Sequence, residues 1–198
     1  MTQLIILRHA ETVENIGHRC QGQNPGTLSD YGQQQAALLG QRLEREGRRF
    51  DRCICSDLDR VLQTIRLMRQ YYHYLPEPIP DLRLRERYFG SLQGRVFPKE
   101  LTADTLPPET EPVDALWGRV GSLVEELKTQ YPGQKVLLVS HGFTIRVLVA
   151  YLLGLSREQV WEVPNVQNTS LSSFRYTQNQ WQQEYFNDYG HLSAPLNP

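Results

Sequence analysis

The 198-residue chain is poor in cysteine, and its three cysteines cannot close into a set of disulfide pairs. Cys53 and Cys55 alternate within an apolar run. They read as reduced, buried thiols and predict a cytoplasmic protein. Their C-x-C spacing has no second pair, so no zinc cluster is expected, and the metal-ligand set is read as none. Long apolar runs are also missing. No stretch approaches the ~18 residues of a membrane span, and the opening residues lack the charged-then-apolar pattern of a signal peptide. Neither a membrane partner nor a leader is expected. Charge of one sign is not in excess, since 21 Lys and Arg face 22 Asp and Glu, for a formal net charge of −1. The cluster Arg42, Arg45, Arg48, Arg49, Arg52 is interrupted by Glu44, Glu46 and Asp51. It reads as a solvated helix face and its exit turn, so no nucleic-acid partner is expected. With no repeat and no linker, the length suits one domain over 1–198.

What the chain does contain is one pattern stated three times, an apolar strand ending in polar residues. Leu4-Ile5-Ile6-Leu7 is too short for a helix and reads as a strand buried on both faces, running into Arg8-His9. Phe50 to Asp57 reads as a second strand. The helix after it takes Ser56 or Asp57 as N-cap, carries Val61, Ile65, Met68 and Tyr72 on one face, and holds Arg60 in its first turn. Val136 to Val139 is the third, ending in Ser140-His141-Gly142 before an apolar helix from Phe143 to Leu153. Ser29 or Asp30 caps another helix with Ala36, Leu39, Gly40 and Leu43 on one face, and a further one runs from Asp114 to about Tyr131. Val13 to Thr27 reads as a polar loop whose glycines admit a ligand closely. Residues 74–113, with seven prolines, read as an irregular lid or specificity segment containing a short strand at Leu82 to Leu84. Ser156 with Gln159 fits a capping box. Ser170 to Tyr176 and Trp181 to Phe186 flank a turn at Gln178 to Gln180, which predicts an antiparallel C-terminal hairpin.

Strands alternating with helices imply an α/β fold around a mostly parallel sheet. Parallel strands bring their carboxyl ends to one edge, where ligands bind. Arg8, His9, Arg60 and His141 converge there in this reading and make an electropositive pocket. Arginine holds phosphate oxygens bidentately, so the ligand expected is a phosphoryl group on a small substrate. A neutral imidazole can attack phosphorus, a second one can stabilise the equatorial oxygens if it is protonated, and a carboxyl such as Glu86 can protonate the leaving oxygen. The arginines supply the positive charge, so no metal or cofactor is required. Other phosphate chemistries lack their signatures. There is no G-x-x-x-x-G-K-[ST] loop, no G-x-G-x-x-G after a strand, and no C-x5-R, since Cys55 and Cys53 stand at C-x4-R and C-x6-R from Arg60. Asp57-Leu58-Asp59-Arg60-Val61 is similar to the D-x-D-x-[TV] motif of magnesium-dependent, aspartate-nucleophile phosphatases, but no acidic partner motif follows.

Arg8-His9-Ala10-Glu11-Thr12 with Asn15, Ser56-Asp57-Leu58-Asp59-Arg60 with Thr64, Glu86 to Gly90, and Ser140-His141-Gly142 together resemble the histidine phosphatase superfamily, the phosphoglycerate-mutase-like fold. Gln21-Gly22 and Asn187-Asp188 with His191-Leu192 match positions common in its phosphatase branch. The resemblance implies a three-layer α/β/α sandwich and a metal-independent phosphomonoesterase. It implies His9 as the phosphorylated nucleophile, Arg8, Arg60 and His141 as the phosphate pocket, and Glu86 as proton donor and then base. Asn15, Gln21, Gly22 and Gly142 are the expected substrate-binding residues. Ala10 replaces the family's usual glycine, and Gln93 stands where many members carry glutamate. A phosphoglycerate mutase is the alternative within enzymes, and the absence of a long basic insertion favours water as acceptor. A non-catalytic phospholigand-binding protein is the alternative outside them. Within the 74–113 segment, Arg83, Arg85, Arg87, Arg95 and Lys99 are candidates to hold a second anionic group. The sequence leaves the oligomeric state open and is compatible with a homodimer.

Overall fold

The computed structural model describes residues 1–98 and 106–193. The first apolar run lies in β1 (Gln3–Arg8) and the third in β4 (Lys135–Ser140); the second strand is β2 (Arg52–Cys55). Their interiors are fully buried because helices cover both faces. A short edge strand, β3 (Pro78–Pro80), and the hairpin β5 (Leu171–Thr177) and β6 (Gln180–Asp188) complete one six-stranded sheet in the order β3-β2-β4-β1-β5-β6. β3, β2, β4 and β1 pair in parallel, while β5 and β6 run antiparallel. The one-turn α1 (Val13–Ile16) follows β1; α2 (Asp30–Arg45), α3 (Asp59–Arg69), α4 (Val113–Gln130) and α5 (Gly142–Leu152) are the main helices.

The side-chain period of two divides the core into halves. Leu4, Ile6, Val136 and Leu138 point toward α4 and α5. Ile5, Leu7, Leu137 and Val139 point the other way, with Cys53 and Cys55, toward α2 and α3. This is the expected α/β/α sandwich. Both cysteines of β2 are free and buried, as is Cys20. No helix among the described residues is long and apolar enough to cross a membrane.

Several local expectations change. Leu82–Leu84 is a 3-10 turn, with the Asp81 carboxylate accepting from Arg83 N–H, and the edge strand lies earlier at Pro78–Pro80. Prolines suit that position because an edge strand needs fewer amide donors. Ser29, not Asp30, caps α2 through its hydroxyl. The N-cap of α3 is Leu58, without a side-chain bond, because Ser56 and Asp57 are engaged elsewhere. The expected loop after β1 contains α1, closed by a capping box between Thr12 and Asn15. Ser156 and Gln159 make half of the expected box: Gln159 Oε1 accepts from the Ser156 N–H at 3.0 Å, ahead of a 3-10 helix at Glu158–Glu162. Part of the 74–113 segment is tied down. Cys20 N–H donates to Arg95 O at 2.8 Å, Gly94 N–H to Cys20 O at 2.7 Å and Phe97 N–H to His18 O at 2.9 Å, forming a ribbon with residues 18–20.

Candidate active site

Register decides which residues meet at the sheet edge. Arg8 lies opposite Ser140, and Cys55 opposite Val139, so the next residues of the three strands emerge side by side. The His9 and His141 rings lie 5.2 Å apart between centroids. In front of His9 is a cavity of about 550 Å3. Arg8, His9, Arg60 and Glu86 line it, as do Asn15, Gln21, Gly22 and Gly142. Of the nine residues read from the sequence, His141 is the exception. It is wholly buried behind Arg60 and does not line the cavity.

The hydrogen bonds assign both tautomers. His9 Nδ1 lies 2.7 Å from the Ala10 carbonyl, which can only accept, so Nδ1 carries the proton and Nε2 keeps its lone pair. His141 Nδ1 faces Arg60 Nε at 3.1 Å. A guanidinium can only donate, so this nitrogen is the acceptor, and His141 Nε2–H donates to Ser56 Oγ at 2.8 Å. Burial, then the charges of Arg60 and Arg8, hold the His9 imidazolium well below its usual range. Burial and the Arg60 charge do the same to His141. The second histidine is therefore neutral here, an ionisation state that the sequence left open. An imidazolium behind a buried arginine would face a like charge without solvent.

Arg60 is 1% exposed, which disposes of a surface role. Besides His141 it donates to Gly22 O at 2.7 Å and Asn24 O at 3.0 Å. Among the described residues these three bonds leave two of its five N–H groups free. Burial lowers its pKa to about 10, so it stays charged at neutral pH. Arg8 donates to Val166 O at 2.6 Å, and its Nε has no partner. Glu86 sits over the start of α5. Its carboxylate accepts from Phe143 N–H at 3.1 Å and Thr144 N–H at 3.0 Å, where helix amides and dipole favour an anion. Arg119 fixes the backbone beneath it by donating to Arg83 O and Arg85 O at 2.6 and 2.8 Å.

Gly22 has φ +52, and a Cβ there would meet Gln93 Oε1 at 2.0 Å. That oxygen accepts from Gln23 N–H at 2.8 Å, while the Gln93 amide donates to Asn24 Oδ1 at 3.0 Å. Gln93 is thus a clamp on the loop whose carbonyls hold Arg60. A glutamate in its place could not make the donation. The glycine at the other end of the site, Gly142, offers an N–H with no acceptor among the described residues. Asn15 spends its Oδ1 on the Thr12 N–H at 3.1 Å, and its amide hydrogens remain.

Asp57 is held by Arg85 through two bonds, one of 2.7 Å, and does not line the cavity. Asp59 is exposed. The aspartate-nucleophile motif thus has no carboxylate at the site. The arginines proposed for a second anion are also elsewhere. Arg83 pairs with Asp81 and Glu126, Arg85 with Asp57, and Arg87 donates to Glu111 O. Arg95 does not line the cavity, and Lys99 lies outside the described residues. The sequence reading missed Arg146, Phe143, Trp161, Asn165 and Asn168, which do line it. One signal existed: Arg146 is the only charged residue of α5.

A third buried histidine, His191, stands behind His9. Its Nε2 faces Thr169 Oγ1 at 2.9 Å; Thr169 (φ +58) and Asn168 both donate to the His9 carbonyl. Burial lowers the His191 pKa to about 4. Three histidines with folded pKa values below the unfolded ~6.5 take up protons on unfolding between those limits. Stability is therefore full above about pH 6.5 and lost as pH falls, by about 1.4 kcal/mol per pH unit for each proton taken up. The melting temperature should drop steadily from pH 7 to pH 5. A flat profile over that window would contradict neutral burial.

A family model for the histidine phosphatase superfamily (branch 1) matches residues 4–189. The chain is 32% identical to "Probable phosphoglycerate mutase GpmB" of Serratia proteamaculans, over 98% of this chain and 97% of that one. A solved mycobacterial glucosyl-3-phosphoglycerate phosphatase superposes with a TM-score of 0.82 at 27% identity, covering 93% of this chain and 98% of its own. A mutant phosphoserine phosphatase from Entamoeba histolytica, in complex with phosphoserine, reaches 0.82 at 25% identity over 97% and 100%.

Proposed function

The chain belongs to the histidine phosphatase superfamily, and from that premise we propose that it is a metal-independent phosphomonoesterase acting through a phosphohistidine on His9. The observation that carries this is the His9 tautomer, which aims an unprotonated Nε2 into a cavity shared with Arg8, Arg60 and Glu86. Nε2 attacks phosphorus, and the P–N bond forms as the ester P–O bond breaks. Glu86 passes a proton to the leaving oxygen. Water then attacks the phosphohistidine and gives a proton to Glu86; the P–N bond breaks and phosphate leaves. Arg8, the two free N–H groups of Arg60 and the Gly142 N–H hold the equatorial oxygens throughout. His141 acts one layer back, accepting from Arg60 and keeping its fork aimed.

A second reading, phosphoglycerate mutase, is favoured by the relative from Serratia proteamaculans. It shares the phosphohistidine and differs in the acceptor. Two measurements test the pair. Hydrolysis of an aryl phosphate should survive excess EDTA, and rapid acid-free quenching should trap phosphate on His9. Loss of activity to EDTA with recovery in magnesium would sink the mechanism. With 3-phosphoglycerate as substrate, free phosphate is the expected product; accumulation of the 2-phospho isomer would make the chain a mutase.

A further inference from the structure

The cavity holds more arginines than the two that flank His9. Arg8, Arg19, Arg60 and Arg146 line it against Glu11 and Glu86. Arg8 and Arg60 flank the nucleophile. Arg19 is exposed on the ribbon. Arg146 differs from Arg19 in being built in. Its guanidinium lies 5.8 Å from the Trp161 ring centroid and 6.0 Å from that of Phe143, and the two rings are 5.0 Å apart. Nη2 donates to Asn165 Oδ1 at 2.8 Å, and Nε is buried without a partner. No carboxylate among the described residues pairs with it. The single charged residue of α5 is thus a fork held in place with no ion-pair partner among the described residues, Glu86 acting on it only through its charge.

Resting on the phosphatase reading above, we propose that Arg146, with the Asn165 amide, is a specificity subsite for a carboxylate on the organic part of the phosphate ester. The geometry supplies the spacing. Gly142, in the first turn of α5, lies against Arg8; a Cβ on it would be 3.5 Å from Arg8 Cζ. Arg146 is four residues further, about 6 Å along the axis, and helical side chains lean back toward the N-terminus. Phosphate on Arg8 and a carboxylate on Arg146 are then one helical turn apart, a span that a short hydroxy-acid or amino-acid skeleton bridges. The chemistry supplies the selectivity. The Arg146 fork only donates, and Asn165 Oδ1 is occupied by it, so the group turned to the ligand is the Asn165 Nδ2. A donor-only pair suits a group that only accepts. Stacking on Phe143 and Trp161 pre-orders the fork, which lowers the entropy cost of binding.

The test compares two esters that differ only in the group at issue, 3-phosphoglycerate and glycerol 3-phosphate. Wild type should favour the carboxylate in kcat/KM by about 10- to 100-fold, the effect of one charge-assisted contact pair. Arg146→Gln should bring that ratio near one through KM, and Arg146→Lys should restore part of it. The ratio is independent of the fraction of enzyme that folds. A wild-type ratio near one, or a ratio that Arg146→Gln leaves unmoved, overturns the subsite. If neither ester nor an aryl phosphate turns over, the phosphatase reading has failed separately. Calorimetric binding of the same two esters to wild type and Arg146→Gln then reads the subsite, with the same ratio expected and equal or absent binding of both overturning it.

Discussion

His9→Ala is expected to lower kcat for every phosphate ester by about 10^4-fold or more, the scale on which removal of a nucleophile acts when the rest of the site survives. His18, the other histidine lining the cavity, is exposed. His141 has both ring nitrogens engaged, one by Arg60 and one by Ser56. The fold should be indifferent to the change. The His9 side chain makes a single hydrogen bond, to the adjacent carbonyl, and its backbone bonds to Ser140, Asn168 and Thr169 do not depend on the ring. Phosphate should still bind, since Arg8 and Arg60 remain. Steady-state turnover, phosphohistidine trapping and a thermal melt check this together. Residual turnover within tenfold of wild type, or a trapped phosphate in the variant, would show that another group is the nucleophile.

Arg60→Ala is expected to reduce kcat/KM by about 10^2- to 10^4-fold, if both of its free N–H groups contact phosphate at roughly 1.5–3 kcal/mol each. This substitution should also lower stability. It leaves Gly22 O and His141 Nδ1 without their donor in a buried place, removes the part-buried bond to Asn24 O, and opens a cavity where a wholly buried side chain stood. Arg60→Lys separates the two effects. It keeps the charge but not the fork, so it should bind phosphate weakly and still fail to satisfy all three acceptors. Without a ligand, Arg60 is a buried cation with no carboxylate bonded to it, and inorganic phosphate should raise the melting temperature of wild type more than that of either variant. Equal shifts in all three proteins would remove Arg60 from the phosphate site.

The local features of the site were legible because they are written in short stretches. An apolar run with buried alternation names β1 and β4, and the small, polar and cationic residues at their ends mark the edge where chemistry sits. A cap at Ser29 or Asp30 follows from their short polar side chains, and the stripes of α2 and α3 from the 3.6-residue period. What misled was competition for the same side chain. Ser56 and Asp57 have the right chemistry for an N-cap, but Ser56 accepts from His141 and Asp57 is claimed by Arg85, so α3 starts uncapped. The arginines of the 74–113 segment have the right charge for a second anion, but those at 83 and 85 are consumed by Asp81, Glu126 and Asp57, and Arg87 is buried outside the cavity with its Nε on the Glu111 carbonyl.

While Asn15, Gln21, Gly22 and Gly142 were named through the family resemblance, the sequence by itself determined the α/β class, the strand ends that carry Arg8, His9 and His141, and the first-turn place of Arg60. Those follow from periodicity and from parallel strands sharing an edge, which are properties of local pattern and topology. Only the tertiary structure decided that His141 is neutral and stands behind Arg60, that Gln93 is a clamp, and that Arg146 is a built-in cation of the cavity that His9 lines. Each of these depends on which donor meets which acceptor across the fold, and such pairing depends on register and packing between segments far apart in the chain, which sequence spacing does not encode.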